Sequence, residues 1–257
     1  MPKFFLLFAT IFSCFFSRAQ ENISITYTGN MGVYITDKQS SVLIDGLHTR
    51  YGDDYLFPTA KLVNEINTQL QPDVILFTHY HGDHFSVELA KEYLKKNKET
   101  HVFGANQITK HFSSNSNQIH TIATNDYNKQ IKPIKKATIT GFKVDHVGKR
   151  HSAVENVGFI IEISNKKILH VGDTDWLQEI NLFDQLKLSE EAIDIAILPY
   201  WMLLSDNATL LIKENINTKH IIATHISPQI KKEELSKLKN TYPHVHFFTK
   251  LKQQIQL

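Results

Sequence analysis

The chain has 257 residues, with 28 Lys and Arg against 26 Asp and Glu and a hydrophobic content of 42%. These values exclude wholesale disorder and a polytopic membrane protein. The near balance of charge gives no electrostatic ground for nucleic acid or an anionic membrane as partner.

The N-terminal segment stands apart in composition. Six of the 16 Phe residues fall within the first 16 positions, beside the only cysteine, Cys14. Lys3, the apolar run Phe4–Phe16 and the small residues of Ser17-Arg18-Ala19 read as an export signal cleaved after Ala19. The run is too short for a comfortable membrane span, which needs about 20 apolar residues. A periplasmic or secreted product without a stable membrane anchor is therefore expected. An uncleaved anchor and a lipoprotein modified at Cys14 are the alternatives, and bulky Phe12 and Phe15 weigh against the second. The expected mature chain, Gln20–Leu257, contains no cysteine, so it has neither a disulfide nor a thiolate ligand. Without repeats, low complexity or a Pro/Gly/Ser-rich linker, it reads as one domain.

Strand-like runs open that domain at Ile23–Thr28, Val33–Thr36 and Val42–Asp45, separated by the turn signals Gly29-Asn30 and Asp37-Lys38. Helical spacing follows over Ala60–Leu70, with Leu62, Val63, Ile66 and Leu70 on one face. Val74–Phe77 is continuously apolar, as in a strand buried on both sides. Ser86 suits the N-cap of a helix reaching Lys96. The second half repeats this grammar. Thr138–His146, Gly158–Ile163, Lys167–Val171, Ile193–Leu198 and Ile221–Thr224 read as strands, and Ala208–Asn215 and Lys231–Asn240 as helices. Helices alternating with buried strands predict a layered α/β fold with mixed sheets.

The chemistry concentrates in Thr78-His79-Tyr80-His81-Gly82-Asp83-His84, directly after the buried strand Val74–Phe77. His79 and His81 are two apart and share one side of an extended segment. Gly82 permits a sharp turn that returns Asp83 and His84 towards the same point. Four residues of metal-ligand type at this density point to a metal site. Further candidates stand at other strand ends: His146 in Val144-Asp145-His146, Asp173 in His170-Val171-Gly172-Asp173-Thr174, and His225 after Ile221–Thr224.

His-x-His-x-Asp-His after an apolar strand, followed in order by these later elements, resembles the metallo-β-lactamase-fold hydrolases. The opening Ile23–Gly29 and Val42-Leu43-Ile44-Asp45 are similar to that family's first hairpins. The resemblance implies a four-layer αβ/βα sandwich of two mixed sheets with metals at one edge. It implies that His79, His81 and His146 hold one metal and that Asp83, His84 and His225 hold another, with Asp173 between them. Seven ligands sharing one carboxylate suit two adjacent ions better than one. Zinc is the first expectation, and manganese or iron also fit His and carboxylate donors. The implied reaction is attack of a bridging hydroxide on an ester, lactone or phosphodiester of a small molecule, with Asp83 also orienting that hydroxide or accepting its proton. Two rival functions are a β-lactamase, against which the missing cysteine ligand argues, and a non-catalytic metal-binding periplasmic protein.

Spacing alone does not choose between His146 and His151 as third ligand of the first metal. Phe142, Val144 and His146 share one strand face, which favours His146 over His151 beside Lys149-Arg150. His170 is either a support for the Asp173 turn or a hydrogen-bonded strand residue. His48, after Asp45-Gly46, either lines the cleft or sits on a surface loop, the second being the favoured reading. His101, His111, His120, His220, His244 and His246 have no clustering partner in sequence. Tyr200 and Trp201 are equally suited to a substrate wall or to ordinary core packing.

Overall fold

A computed structural model describes residues 22–112, 117–176 and 183–257, so the expected export signal lies outside the described residues. Fourteen strands among those residues form two seven-stranded sheets. The first contains β1 (Ser24–Gly29), β2 (Gly32–Thr36), β3 (Ser41–Ile44), β4 (Val74–Leu76), β5 (His101–Ala105) and β6 (Ile119–Ile122), with β14 (Gln254–Gln256) on the edge beside β1. The second is built from β7 (Gln130–Ile134), β8 (Ala137–Lys143), β9 (Val157–Ile163), β10 (Lys166–His170), β11 (Ile195–Pro199), β12 (His220–Thr224) and β13 (Val245–Phe247). Each sheet opens with an antiparallel meander and continues with parallel strands, so both sheets are mixed.

Strand alternation decides the layers. Val42 and Ile44 of β3 face inward, where they meet Ile139, Phe159, Ile161, Ile195 and Ile197 of the other sheet. Leu43 and Ile75 face outward against Leu62, Ile66, Ala90 and Tyr93. These four belong to the segments of α1 (Ala60–Glu65), its π-helical continuation Ile66–Leu70, and α2 (Val87–Lys96). On the far side, Leu169, Ala196 and Leu198 pack under Leu211, Ile212 and Leu238. Here the helices are α4 (Ala208–Asn215) and α5 (Lys232–Thr241); a single turn, α3 (Asn106–Thr109), follows β5. The result is a helix–sheet–sheet–helix sandwich. No helix among the described residues is long and apolar enough to cross a membrane.

Thr59 caps α1 by accepting from Leu62 N, and Ser86 caps α2 by accepting from Leu89 N, as its sequence position predicts. The expected helix Ala60–Leu70 changes character halfway, at Ile66, and stops where Gln71 takes a left-handed φ of 39°. The expected strand Thr138–His146 ends at Lys143. Beyond it Val144 N donates to Asn156 O at 3.0 Å, and His146 stands on the following loop.

Candidate metal centre

All seven candidate residues converge at one edge of the sandwich, where strands from both sheets end. Each offers one ligand atom, and these atoms fall into two groups, each within 4.8 Å: His79, His81 and His146; and Asp83, His84, Asp173 and His225. Asp173 faces both groups. Its Oδ2 lies 4.0 Å from His79 Nε2, 3.8 Å from His146 Nε2 and 3.4 Å from His225 Nε2, while Oδ1 lies 3.4 Å from His84 Nε2.

The scaffold behind these atoms fixes their orientation. Asp45, at the end of β3 with φ 45°, accepts from Thr78 N at 2.8 Å, from the Thr78 hydroxyl at 2.6 Å and from His84 Nδ1 at 2.9 Å. With its proton given to Asp45, the Thr78 oxygen accepts from His79 Nδ1 at 3.1 Å. His146 Nδ1 donates to Val147 O at 2.9 Å. In all three imidazoles Nδ1 is engaged behind the site and Nε2 is turned into it.

Asn30 organises the second group. It adopts a left-handed φ of 49°, its amide donates to Asp83 Oδ2 at 3.0 Å and to Asp83 O at 3.1 Å, and its own carbonyl accepts from His225 N at 2.9 Å. His225 is itself left-handed, with φ 58°. Gly172 supplies the turn before Asp173. Its φ is +60°, and a Cβ there would lie 2.4 Å from Asn156 Oδ1, so both backbone and space require glycine. His170 accepts from Gly172 N through Nδ1 at 3.2 Å, which leaves Nε2–H to donate to Met31 O at 3.1 Å across to the first sheet. His170 is therefore a strut that ties the two sheets beside Asp173.

Electrostatics separate the two groups. Burial holds His79 well below the ordinary imidazole range, with His84 adding to the effect. Burial and the neighbouring His146 bring His81 to about 4, and burial also lowers His146. These three present neutral lone pairs. In the second group burial disfavours every charge, yet the charges sustain one another. Asp173 and Asp83 raise His84 well above its usual value, and Asp173 raises His225 to about 9. His84 in turn holds the Asp83 and Asp173 carboxyls well below the carboxylate range against their burial. Buried His146 Nε2, His225 Nε2 and Asp173 Oδ1 make no hydrogen bond. Three buried ligand atoms without partners, set among clusters of three and four His and Asp residues, fit a metal's donor set.

His151 lies just outside both groups, its ring 4.9 Å from that of His81 and 4.7 Å from that of His146. Its Nε2 accepts from Arg150 Nε at 2.8 Å. Trp201 does reach the site: its ring is 4.7 Å from His225, and its indole N–H is anchored on Thr174 O at 2.8 Å. Tyr200 stands behind Trp201 at 6.0 Å. His48 is buried rather than on a surface loop; burial and His84 lower it to about 4. His101 and His120 do have a partner, each other, with Nδ1 and Nε2 at 2.9 Å, because parallel pairing of β5 and β6 brings them together. Asn30, Asp45 and Tyr55, whose ring is 5.5 Å from His225, are site residues that the sequence reading passed over. Asp45 carried a signal: like Asp173, it is an acid at the end of an apolar strand.

Residues 18–225 match the family model described as the β-lactamase superfamily domain. The chain belongs to that superfamily. A UPF0173 metal-dependent hydrolase of Thermoplasma acidophilum is 30% identical to this superfamily member over 185 residues, 70% of this chain and 71% of its own length. One of Thermococcus onnurineus is 31% identical over 133 residues, 51% of this chain and 55% of that protein. The chain thus spans little more than half the length of the first curated relatives it matches, 55% in each case. A metallo hydrolase of the archaeon Ignicoccus hospitalis shares the metallo-β-lactamase fold, with a TM-score of 0.63, 16% identity, and coverage of 92% of this chain and 98% of that one.

Proposed function

We propose that this chain is a metal-dependent hydrolase working with two divalent metals, zinc foremost, on an ester, lactone or phosphodiester of a small molecule. The observation that carries the reading is Asp173 set between two groups of inward-turned ligand atoms. His79, His81 and His146 would hold one ion, Asp83, His84 and His225 the other, and Asp173 both. Two adjacent ions, when bound, would activate a water and stabilise negative charge developing on the substrate. The protein's own part is positional and protonic. Asp45 and Thr78 hold His84 and His79 in register, and Asn30 holds Asp83. Asp83, tied through Oδ2 to Asn30 and facing His84 and His225, is suited to orient a nucleophile or take its proton. Metal analysis of purified protein together with an ester, lactone, phosphodiester and β-lactam panel tests the reading. It predicts two ions per chain and turnover of at least one of the first three classes. A reproducible ratio near zero after reconstitution with zinc, manganese or iron overturns it.

Two expected outcomes follow from the positioning groups. Asp45→Asn keeps the size of the side chain but loses one of its acceptors, so His84 or Thr78 is released. Metal affinity should fall about 10- to 100-fold, measured by competition with a chromophoric chelator. His146→Ala should lower metal content far more than His151→Ala, because His146 Nε2 shares the first group and His151 Nε2 is engaged by Arg150. Greater metal loss in His151→Ala would reverse the assignment.

Export to the periplasm or beyond rests on the Phe4–Phe16 run and Ser17-Arg18-Ala19. Mass spectrometry of the native product should find a chain beginning at Gln20. An intact Met1 species in the soluble exported fraction would contradict it.

A further inference from the structure

The two flanks of the candidate centre differ in character. On the first group's side, a cavity of about 600 Å³ is lined by His146, Lys149, Lys143, Asp145 and Glu155. Both of its acids are committed. Asp145 pairs with Lys143 at 3.0 Å and accepts from the Tyr127 hydroxyl at 2.9 Å, and Glu155 accepts from Gln107 N at 2.8 Å. Lys143 is thereby neutralised as well. Lys149 and the adjacent Arg150 are exposed and form no ion pair among the described residues. With Arg150 counted beside the lining, three cations stand against the two acids Asp145 and Glu155, and the exposed excess lies on Lys149 and Arg150.

On the second group's side the surface is aromatic. Trp201 and Tyr55 stand edge-on to His225 at 4.7 and 5.5 Å, and Tyr51 extends the row from Tyr55 at 5.6 Å. Tyr51 is 53% exposed, and Leu204, which closes the turn begun by Trp201, is 51% exposed. Exposed Tyr80 stands 5.1 Å from His81 on the other flank, but the continuous aromatic row is the one against His225, and exposed apolar side chains in such a row mark a binding surface.

The geometry points to an amphipathic substrate: an ester or lactone with a carboxylate or phosphate on the Lys149 side and a flat apolar arm, aryl or acyl, on the Trp201 side. This deepens the hydrolase reading and rests on it for the scissile bond alone; the polarity of the cleft stands independently. Asp173 Oδ2 lies 3.8 Å from His146 on the first flank and 3.4 Å from His225 on the second, so the reacting carbonyl would sit between the anion and the apolar arm.

A matched pair of amides tests the recognition apart from turnover. N-(4-nitrophenyl)succinamate carries a carboxylate, whereas 4′-nitrobutyranilide is neutral and similar in size. Calorimetry should give tighter binding of the succinamate by roughly fivefold or more at low salt, as one unscreened charge pair allows. The preference should shrink in 0.5 M salt, which is about five times the ionic strength at which the Debye length is near 10 Å. Lys149→Gln, and more fully the Lys149→Gln/Arg150→Gln pair, should erase the preference. Trp201→Ala should weaken both ligands alike, by roughly fivefold, through lost ring contact. Unchanged thermal midpoints establish that these variants fold. Hydrolysis of mono(4-nitrophenyl) succinate over 4-nitrophenyl butyrate should follow the same order. Equal affinity of the wild type for both amides, or a preference that survives the double variant, overturns the proposal. The binding pattern without hydrolysis or metal would instead defeat only the catalytic reading.

Discussion

Asp173→Asn is expected to strip metal from both halves of the centre together. Its two oxygens face both clusters, at 3.4 Å from His84 and His225 and 3.8 to 4.0 Å from His146 and His79. The amide keeps the size but loses the charge that would offset two cations. Hydrolysis should fall by at least about 10³-fold, or ~4 kcal/mol of transition-state stabilisation. Asp83→Asn makes the informative contrast. Asp83 approaches only His84 and His225, each at 3.5 Å, so metal analysis should find one ion retained and one lost. Full metal content in Asp173→Asn would mean that the two groups do not share a carboxylate.

Phe159→Ala should produce the largest loss of stability away from the centre. Phe159 is fully buried on β9, in the layer between the two sheets, where neither solvent nor a mobile loop can fill the space left behind. Truncating such a ring costs about 3–5 kcal/mol, from lost transfer energy and the residual cavity. That is a large share of the 5–15 kcal/mol that stabilises a typical domain. Urea unfolding of metal-free wild type and variant measures it without the contribution of bound ions. A midpoint shift of less than about 0.5 M, for an m-value of 2–3 kcal/mol/M, would show that the sheets close around the gap.

How far the sequence could be read depended on what each segment buries. Val74–Phe77, Ile193–Leu198 and Ile221–Thr224 are covered on both faces, so their apolar runs were plain. His101–Ala105 holds a buried strand, but Gly104 and flanking polar residues break its pattern. Gln130–Ile134 and Gln254–Gln256 lie on sheet edges with mostly polar or half-exposed residues, and β-pairing there comes from the neighbouring strand rather than from hydrophobicity. The candidate ligands were readable because His and Asp at strand ends are uncommon and cluster within six positions in Thr78–His84. Their supports were not. Asn30 in Gly29-Asn30 is indistinguishable from an ordinary turn residue until the fold brings it 53 positions along the chain to Asp83. Tyr55 likewise gains meaning only when its loop reaches His225.

The left-handed backbone at Asn30, Asp45 and His225 ties the orientation of this centre to the stability of the fold. Each non-glycine residue held there costs on the order of 1 kcal/mol, somewhat less for Asn and Asp. Glycine would release that cost at each position, and at each it would delete a group that orients or offers a ligand atom. At Asn30 and Asp45 that exchange is a net loss, because glycine would leave buried groups of Asp83, Thr78 and His84 unpaired, at about 1–3 kcal/mol each. Selection for heat tolerance alone would therefore keep both side chains, whose hydrogen bonds hold the strained backbone and orient the ligand atoms together.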